Sequence, residues 1–183
     1  MGDSREASAS IDEPEPSQPA LSIDLIDRGP LLAPSTHRWL MSRVRSVAAH
    51  LDRREQAGVD GGELRIELVD DDAMIAAHAE WKDDPTTTDV LTFDLRTSED
   101  DLLDVDLMVC VDEARRQAEA RGLAIEHEVL LYVVHGLLHC LGYDDQSADD
   151  ANVMHTREDE LLSAVGVGRV FAQPTTERAH HDG

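Results

Sequence analysis

Residues 125–141 read IEHEVLLYVVHGLLHCL, apolar on nearly all sides of a helix. A helix built on that pattern has no face to give to water, so other elements must enclose it on all sides. The stretch is too short to cross a bilayer, and it carries two histidines, His135 and His139, in its second half. The chain of 183 residues has material for one such enclosing domain and hardly for two.

The enclosing elements can be read from periodicity. Residues 35–51 place Leu40, Val44, Val47 and Leu51 at helical spacing. Residues 63–69 alternate, with Leu64, Ile66 and Leu68 to one side and Arg65 and Glu67 to the other, as a half-buried strand does. Further strands are expected at 21–26, 89–95 and 105–111, and a short helix at 71–81. A helix over 113–121 ends at Gly122, and a last amphipathic helix covers 148–165. Strands cluster early and helices late, which predicts an α+β fold with one small mixed sheet of three to five strands covered by helices. Residues 1–20 and 172–183 are polar and apolar-poor, so they read as disordered tails around a single domain at 21–171.

Lysine and arginine number 16 against 39 aspartates and glutamates, a net charge of −23. That excludes a general basic coat for nucleic acid and an anionic-membrane binder, but leaves room for a local phosphate site. Two cysteines, Cys110 and Cys140, make no disulfide framework, and the acidic first 20 residues lack the apolar stretch of a signal peptide. A reducing, cytoplasmic location is the expectation.

Chemistry concentrates at His135-Gly-Leu-Leu-His139-Cys-Leu-Gly142-Tyr143-Asp144-Asp145. Histidines four apart project from one helical face and can share one metal ion. A lone histidine in an apolar helix is ordinarily a satisfied core residue; two, followed by a spaced glycine and aspartate, read as a metal group. Gly142 stands where the chain must leave the helix, which lets Asp145 return to the ion, with Asp144 as the alternative ligand. The spacing equals that of the metzincins, and two imidazoles plus a carboxylate leave an open position for water. Gly136, however, stands where a zincin protease has its glutamate base, which argues against peptide hydrolysis.

HGLLHCLGYDD resembles the HGxLHLxGYDH signature of the YbeY family, bacterial endoribonucleases that act as rRNA maturation factors. TDVLTF at 88–93 is similar to the family's PTDVLSF strand, and VDLMVCVDEARRQA at 105–118 to its GDIxIC strand and following helix. Residues 128–143 resemble its ELxxLxVHGxLHLxGY helix, and Met154 and Glu158 its closing M…E segment. The likeness spans about residues 60–163 and implies about four strands, with the metal helix buried against them. It implies one Zn²⁺, for which the Asp145 carboxylate makes Mn²⁺ the alternative, and a single-strand-specific endoribonuclease acting in 16S rRNA 3′-end maturation and ribosome quality control. The implied partners are rRNA and the small ribosomal subunit, with no membrane and no DNA.

The chain departs from the family at four places. Asp145 replaces its third metal histidine, which lowers the formal charge of the site from +2 to +1 and broadens it toward harder ions. Lys82, the only lysine, replaces an arginine and loses the planar fork for phosphate. His78 replaces an asparagine, and the loop before the strand reads Asp84-Pro-Thr-Thr-Thr-Asp89.

The implied roles are metal binding by His135, His139 and Asp145, and catalysis by His135, Lys82 and Asp144. Asp144 would accept a proton or orient a ligand histidine, and Lys82 would stabilise phosphate charge. For RNA binding by so acidic a chain, Arg38, Arg43, Arg45, Arg53 and Arg54 are candidates beside Lys82. Arg38 and Arg45 share one helical side, and a plain solvated face is the competing reading. Three other functions stay open: an assembly factor braced by a structural metal, a metallohydrolase of another substrate, and a non-haem iron centre. Cys140 points away from His139 and reads as a buried thiol, and Trp39 and Trp81 as packing residues.

Overall fold

The computed structural model describes residues 21–52, 55, 59, 61–98 and 101–170. The expected tails, and with them His180 and His181, lie outside the described residues, as do Arg53 and Arg54. The described elements run β1 (Ser22–Asp27), α1 (Pro34–Ala49), β2 (Glu63–Val69), α2 (Asp71–Lys82), β3 (Val90–Asp94), β4 (Asp104–Cys110), α3 (Val111–Arg121), α4 (Ile125–Cys140) and α5 (Ala148–Ala164). The four strands form one mixed sheet in the order β1-β2-β4-β3. β1 and β4 run parallel to β2, and β3 runs antiparallel to β4. The protein is α+β, as its sequence pattern predicts.

Alternation makes one sheet face dry and the other wet. Leu64, Ile66 and Leu68 pair in register with Val105, Leu107 and Val109, and all six are buried. On the opposite face Arg65 bonds Glu63, Asp104 and Asp106, which carries these charges into water. α2 covers one end of that face, where Met74 packs with Val69, Leu91 and Cys110.

Local signals account for the helix ends. The Asp70 side chain accepts from Ala73 N at the start of α2, and Ser147 accepts from Asp150 N at the start of α5. Gly122 closes α3 in the left-handed region at φ +67°.

α4 lies on the dry face, packed by α1, α3, α5, β3 and β4, and eleven of its sixteen residues are buried. Gly136 sets its distance from the sheet: a Cβ there would lie 2.8 Å from Leu107 Cδ2 and 2.9 Å from Thr92 Oγ1. No single helix among the described residues is long and apolar enough to cross a membrane.

A second close approach joins the strand starts. A Cβ on Gly62 would sit 2.5 Å from the Leu103 carbonyl oxygen, which already accepts from Glu63 N. Backbone cannot swing aside as a side chain does. Gly62→Ala is therefore expected to destabilise the fold by about 1–3 kcal/mol, read as a lower urea midpoint at unchanged slope.

Candidate metal centre

The end of α4 builds the centre. His135 and His139 stand one helical turn apart with their rings perpendicular and centroids 4.6 Å apart. The helix then closes with Tyr143 N donating to Leu138 O and Gly142 N to His139 O, a Schellman turn. Gly142 occupies the left-handed region this turn needs, at φ +91°. The reversal brings Asp145 Oδ2 to 3.8 Å from His135 Nε2 and 3.9 Å from His139 Nε2. The two Nε2 atoms are 3.1 Å apart.

Hydrogen bonds on the far side of each ring set its tautomer. The Tyr143 carbonyl can only accept, so the His139 Nδ1 that meets it at 3.2 Å carries the proton. His135 Nδ1 meets Glu158 Oε1 at 2.7 Å and donates likewise to that carboxylate. Both Nε2 lone pairs therefore face one point beside the Asp145 carboxylate, an arrangement that calls for a cation between them. Tetrahedral bonds of about 2.0–2.2 Å put ligand atoms about 3.3–3.6 Å apart, between the 3.1 Å and the 3.8 and 3.9 Å found here.

Glu158 strengthens the fit. It is fully buried, and its Oε2 has no hydrogen-bond partner. A carboxylate with one oxygen unpaired at that depth is costly unless positive charge lies just beyond the imidazole it touches. Carboxylate, histidine and ion in line is the usual support of a metal ligand. Burial alone would lower the His135 pKa, but the Glu158 contact and the charges of Glu158, Asp89 and Asp145 outweigh it and raise it.

The centre stays reachable. Side-chain exposure is 20% at His135, 31% at His139 and 41% at Asp145. Among the described residues no fourth His, Cys, Asp or Glu joins the group. Cys140 is not part of the group; its thiol is buried, and burial with the Asp94 charge beside it pushes that thiol up to about 12. Position 136, where a protease would carry its base, is sealed against Leu107 and Thr92.

The other expected residues are not among the three converging donors. Asp144 Oδ1 accepts from Asp145 N at 2.8 Å and Gln146 N at 3.2 Å, so this carboxylate shapes the turn. The carboxylate that orients a histidine is Glu158, not Asp144. The only sequence signal for it was its place in the closing M…E segment.

Lys82 is exposed at the end of α2, and the loop after it is closed by His78 Nδ1 against Thr86 O at 2.8 Å. Arg38 and Arg45 are exposed on α1 and flank Ile23 and Leu25 of β1. They line a surface hollow with Asp24, His37 and Met41 that includes none of His135, His139 and Asp145. Trp39 packs on His127 at 5.5 Å between ring centroids. Trp81 departs from a packing role: it is 62% exposed and meets Phe93 edge-on.

Comparisons with known proteins agree with this geometry. The family model described as "Endoribonuclease YbeY" matches residues 33–166. A protein of that name from Macrococcus caseolyticus is 33% identical over 81% of this chain and 98% of its own length. One from Kineococcus radiotolerans is 42% identical over 55% of this chain and 62% of its own length. In fold, the chain is similar to the solution structure of TM1509 from Thermotoga maritima, with a TM-score of 0.56 at 22% identity over 78% of this chain and 88% of that one. The chain belongs to the endoribonuclease YbeY family.

Proposed function

We propose that the chain is a metal-dependent endoribonuclease that hydrolyses phosphodiesters of single-stranded RNA, working in the cytoplasm on 16S rRNA 3′-end maturation and ribosome quality control. The names of its relatives support RNA cleavage. The observation that carries the metal dependence is the convergence of two imidazole lone pairs and one carboxylate in a reachable, three-donor group. Three protein donors with an open side are the pattern of a catalytic site rather than a brace, which favours the enzyme over the assembly factor. Zn²⁺ suits two imidazoles and a carboxylate, and Mn²⁺ is the harder alternative. When bound, such an ion polarises the scissile phosphate and acidifies water.

The chain's own groups do the rest. His135 and His139 present Nε2, their tautomers held by Glu158 and the Tyr143 carbonyl. Asp145 partly neutralises the site. Asp144 shapes the turn with one oxygen and offers the other, at the exposed mouth, as a proton acceptor. Lys82, at the head of the loop leading into β3, places a positive charge for the phosphate. Arg38 and Arg45 hold RNA at a distance from the cut, as part of docking on the small ribosomal subunit.

Activity is tested on single-stranded and duplex RNA with chelator-treated and reloaded protein. Cleavage of single strands that stops on chelation and returns with Zn²⁺ or Mn²⁺ is expected; cleavage indifferent to chelation would refute the metal-dependent reading. Replacing Arg38 and Arg45 together by alanine should make the log–log salt dependence of single-strand binding shallower by about 1.4, at about 0.7 for each lost phosphate contact. An unchanged slope removes both from the RNA surface.

A further inference from the structure

The turn that carries Asp145 lies at the surface, with Gly142, Asp144 and Asp145 all exposed. Its geometry nevertheless decides two things: where the Tyr143 carbonyl meets His139 Nδ1, and where the Asp145 carboxylate stands. One side chain of this turn reaches inward. The Tyr143 hydroxyl donates to Glu55 Oε1 at 2.8 Å. Glu55 is 5% exposed and comes from the segment after α1.

Glu55 is itself held from two sides. Arg157 of α5 donates from Nε to Oε1 at 2.9 Å and from Nη2 to Oε2 at 2.5 Å. The backbone N of Asp52 donates to Oε2 at 2.6 Å. Arg157 Nη2 also reaches His50 O at 3.2 Å. A forked guanidinium on a buried carboxylate is geometrically demanding, so it fixes the acceptor that Tyr143 meets. Arg157 is also the chain neighbour of Glu158, which orients His135.

We propose that Glu55, Tyr143 and Arg157 are positioning residues for the metal centre, joining the turn that carries Asp145 to the end of α1 and to α5. They touch neither ion nor RNA. They hold the His139 partner and the Asp145 carboxylate at the spacing an ion needs before it arrives. This rests on the metal-centre reading above. Partners one step removed from a metal ligand commonly change metal affinity by about 10–100-fold when lost. Tyr143→Phe removes one hydroxyl, keeps the ring, and leaves Glu55 paired with Arg157.

The test uses metal-free full-length protein and measures the Zn²⁺ dissociation constant by competition with a chromophoric chelator. Circular dichroism and the metal-free melting temperature are recorded on the same samples. Wild type, Tyr143→Phe, Glu55→Gln and His139→Ala are compared. Tyr143→Phe is expected to weaken Zn²⁺ about tenfold with an unchanged spectrum and a melting temperature within a few degrees of wild type. Glu55→Gln should weaken it by at least as much, since Gln keeps the volume but not the charge that grips Arg157. If wild type binds Zn²⁺, His139→Ala loses it and Tyr143→Phe binds as wild type does, the positioning proposal fails and the metal centre stands. If wild type binds no Zn²⁺, or His139→Ala binds as wild type does, the metal-centre reading fails and the proposal goes with it.

Discussion

His139→Ala is expected to abolish metal-dependent RNA cleavage while leaving the protein folded. The substitution removes one of three donors, and neither Asp145 nor His135 can replace it, because each already faces the same point. Several kcal/mol of transition-state stabilisation goes with the ion, and at about 1.4 kcal/mol per decade the rate falls a thousandfold or more. The cost to the fold is small. The side chain is 31% exposed at the last turn of α4, its one intramolecular bond on the far side is to the Tyr143 carbonyl, and alanine is a strong helix former. A single-turnover cleavage assay beside a melting curve separates the two effects. Cleavage at the wild-type rate by a folded variant would remove His139 from the mechanism.

Gly136→Glu has the opposite signature: the fold is severely destabilised, and no protease base is gained. The new Cβ alone would lie 2.8 Å from Leu107 Cδ2 and 2.9 Å from Thr92 Oγ1, and Leu107 is 1% exposed. Overpacking of that kind costs about 1–3 kcal/mol, and an unpaired carboxylate against the dry sheet face adds several more. The sum is a large part of a stability of about 5–15 kcal/mol. Gly136→Ala is expected to fall between the two, since its gain of about 1 kcal/mol in helix propensity offsets part of the clash. Urea unfolding followed by circular dichroism orders the three proteins. A Gly136→Glu variant as stable as wild type would mean that α4 does not need its close approach to β3 and β4.

These two predictions differ in how far the sequence alone supports them. The histidine pair, Gly142 and Asp145 form a local pattern: helical spacing, a helix stop and a short return, all within eleven residues. The structure assembles them accordingly, with Gly142 ending the helix at a positive φ. The elements were legible for the same reason, because alternation in β2 and a helix stop such as Gly122 act over a few residues. Gly136 was legible only as a missing base; its reason, the side chains of Leu107 and Thr92, lies on two strands far back in the chain.

Long-range partners were not legible. Glu158 meets His135 across 23 positions, and Glu55 meets Arg157 across 102. No periodicity links such residues. Asp144 illustrates the converse, since an aspartate after a helix stop commonly bonds the next backbone N–H groups, and it does so here. Strand order also escapes periodicity, and so does the placing of Arg38 and Arg45 beside β1 at one sheet edge. On the helical pattern alone these arginines and the histidines were equally eligible for one surface.

The central claim is that His135, His139 and Asp145 hold one ion on which RNA cleavage depends. Its most direct test is elemental analysis of purified, tag-free wild type and Asp145→Ala, with cleavage of single-stranded RNA assayed on the same samples before and after chelation. One divalent ion per chain in the wild type, lost together with cleavage in the variant, is the predicted result. Equal metal in both proteins, or wild-type cleavage that survives complete chelation, would contradict it.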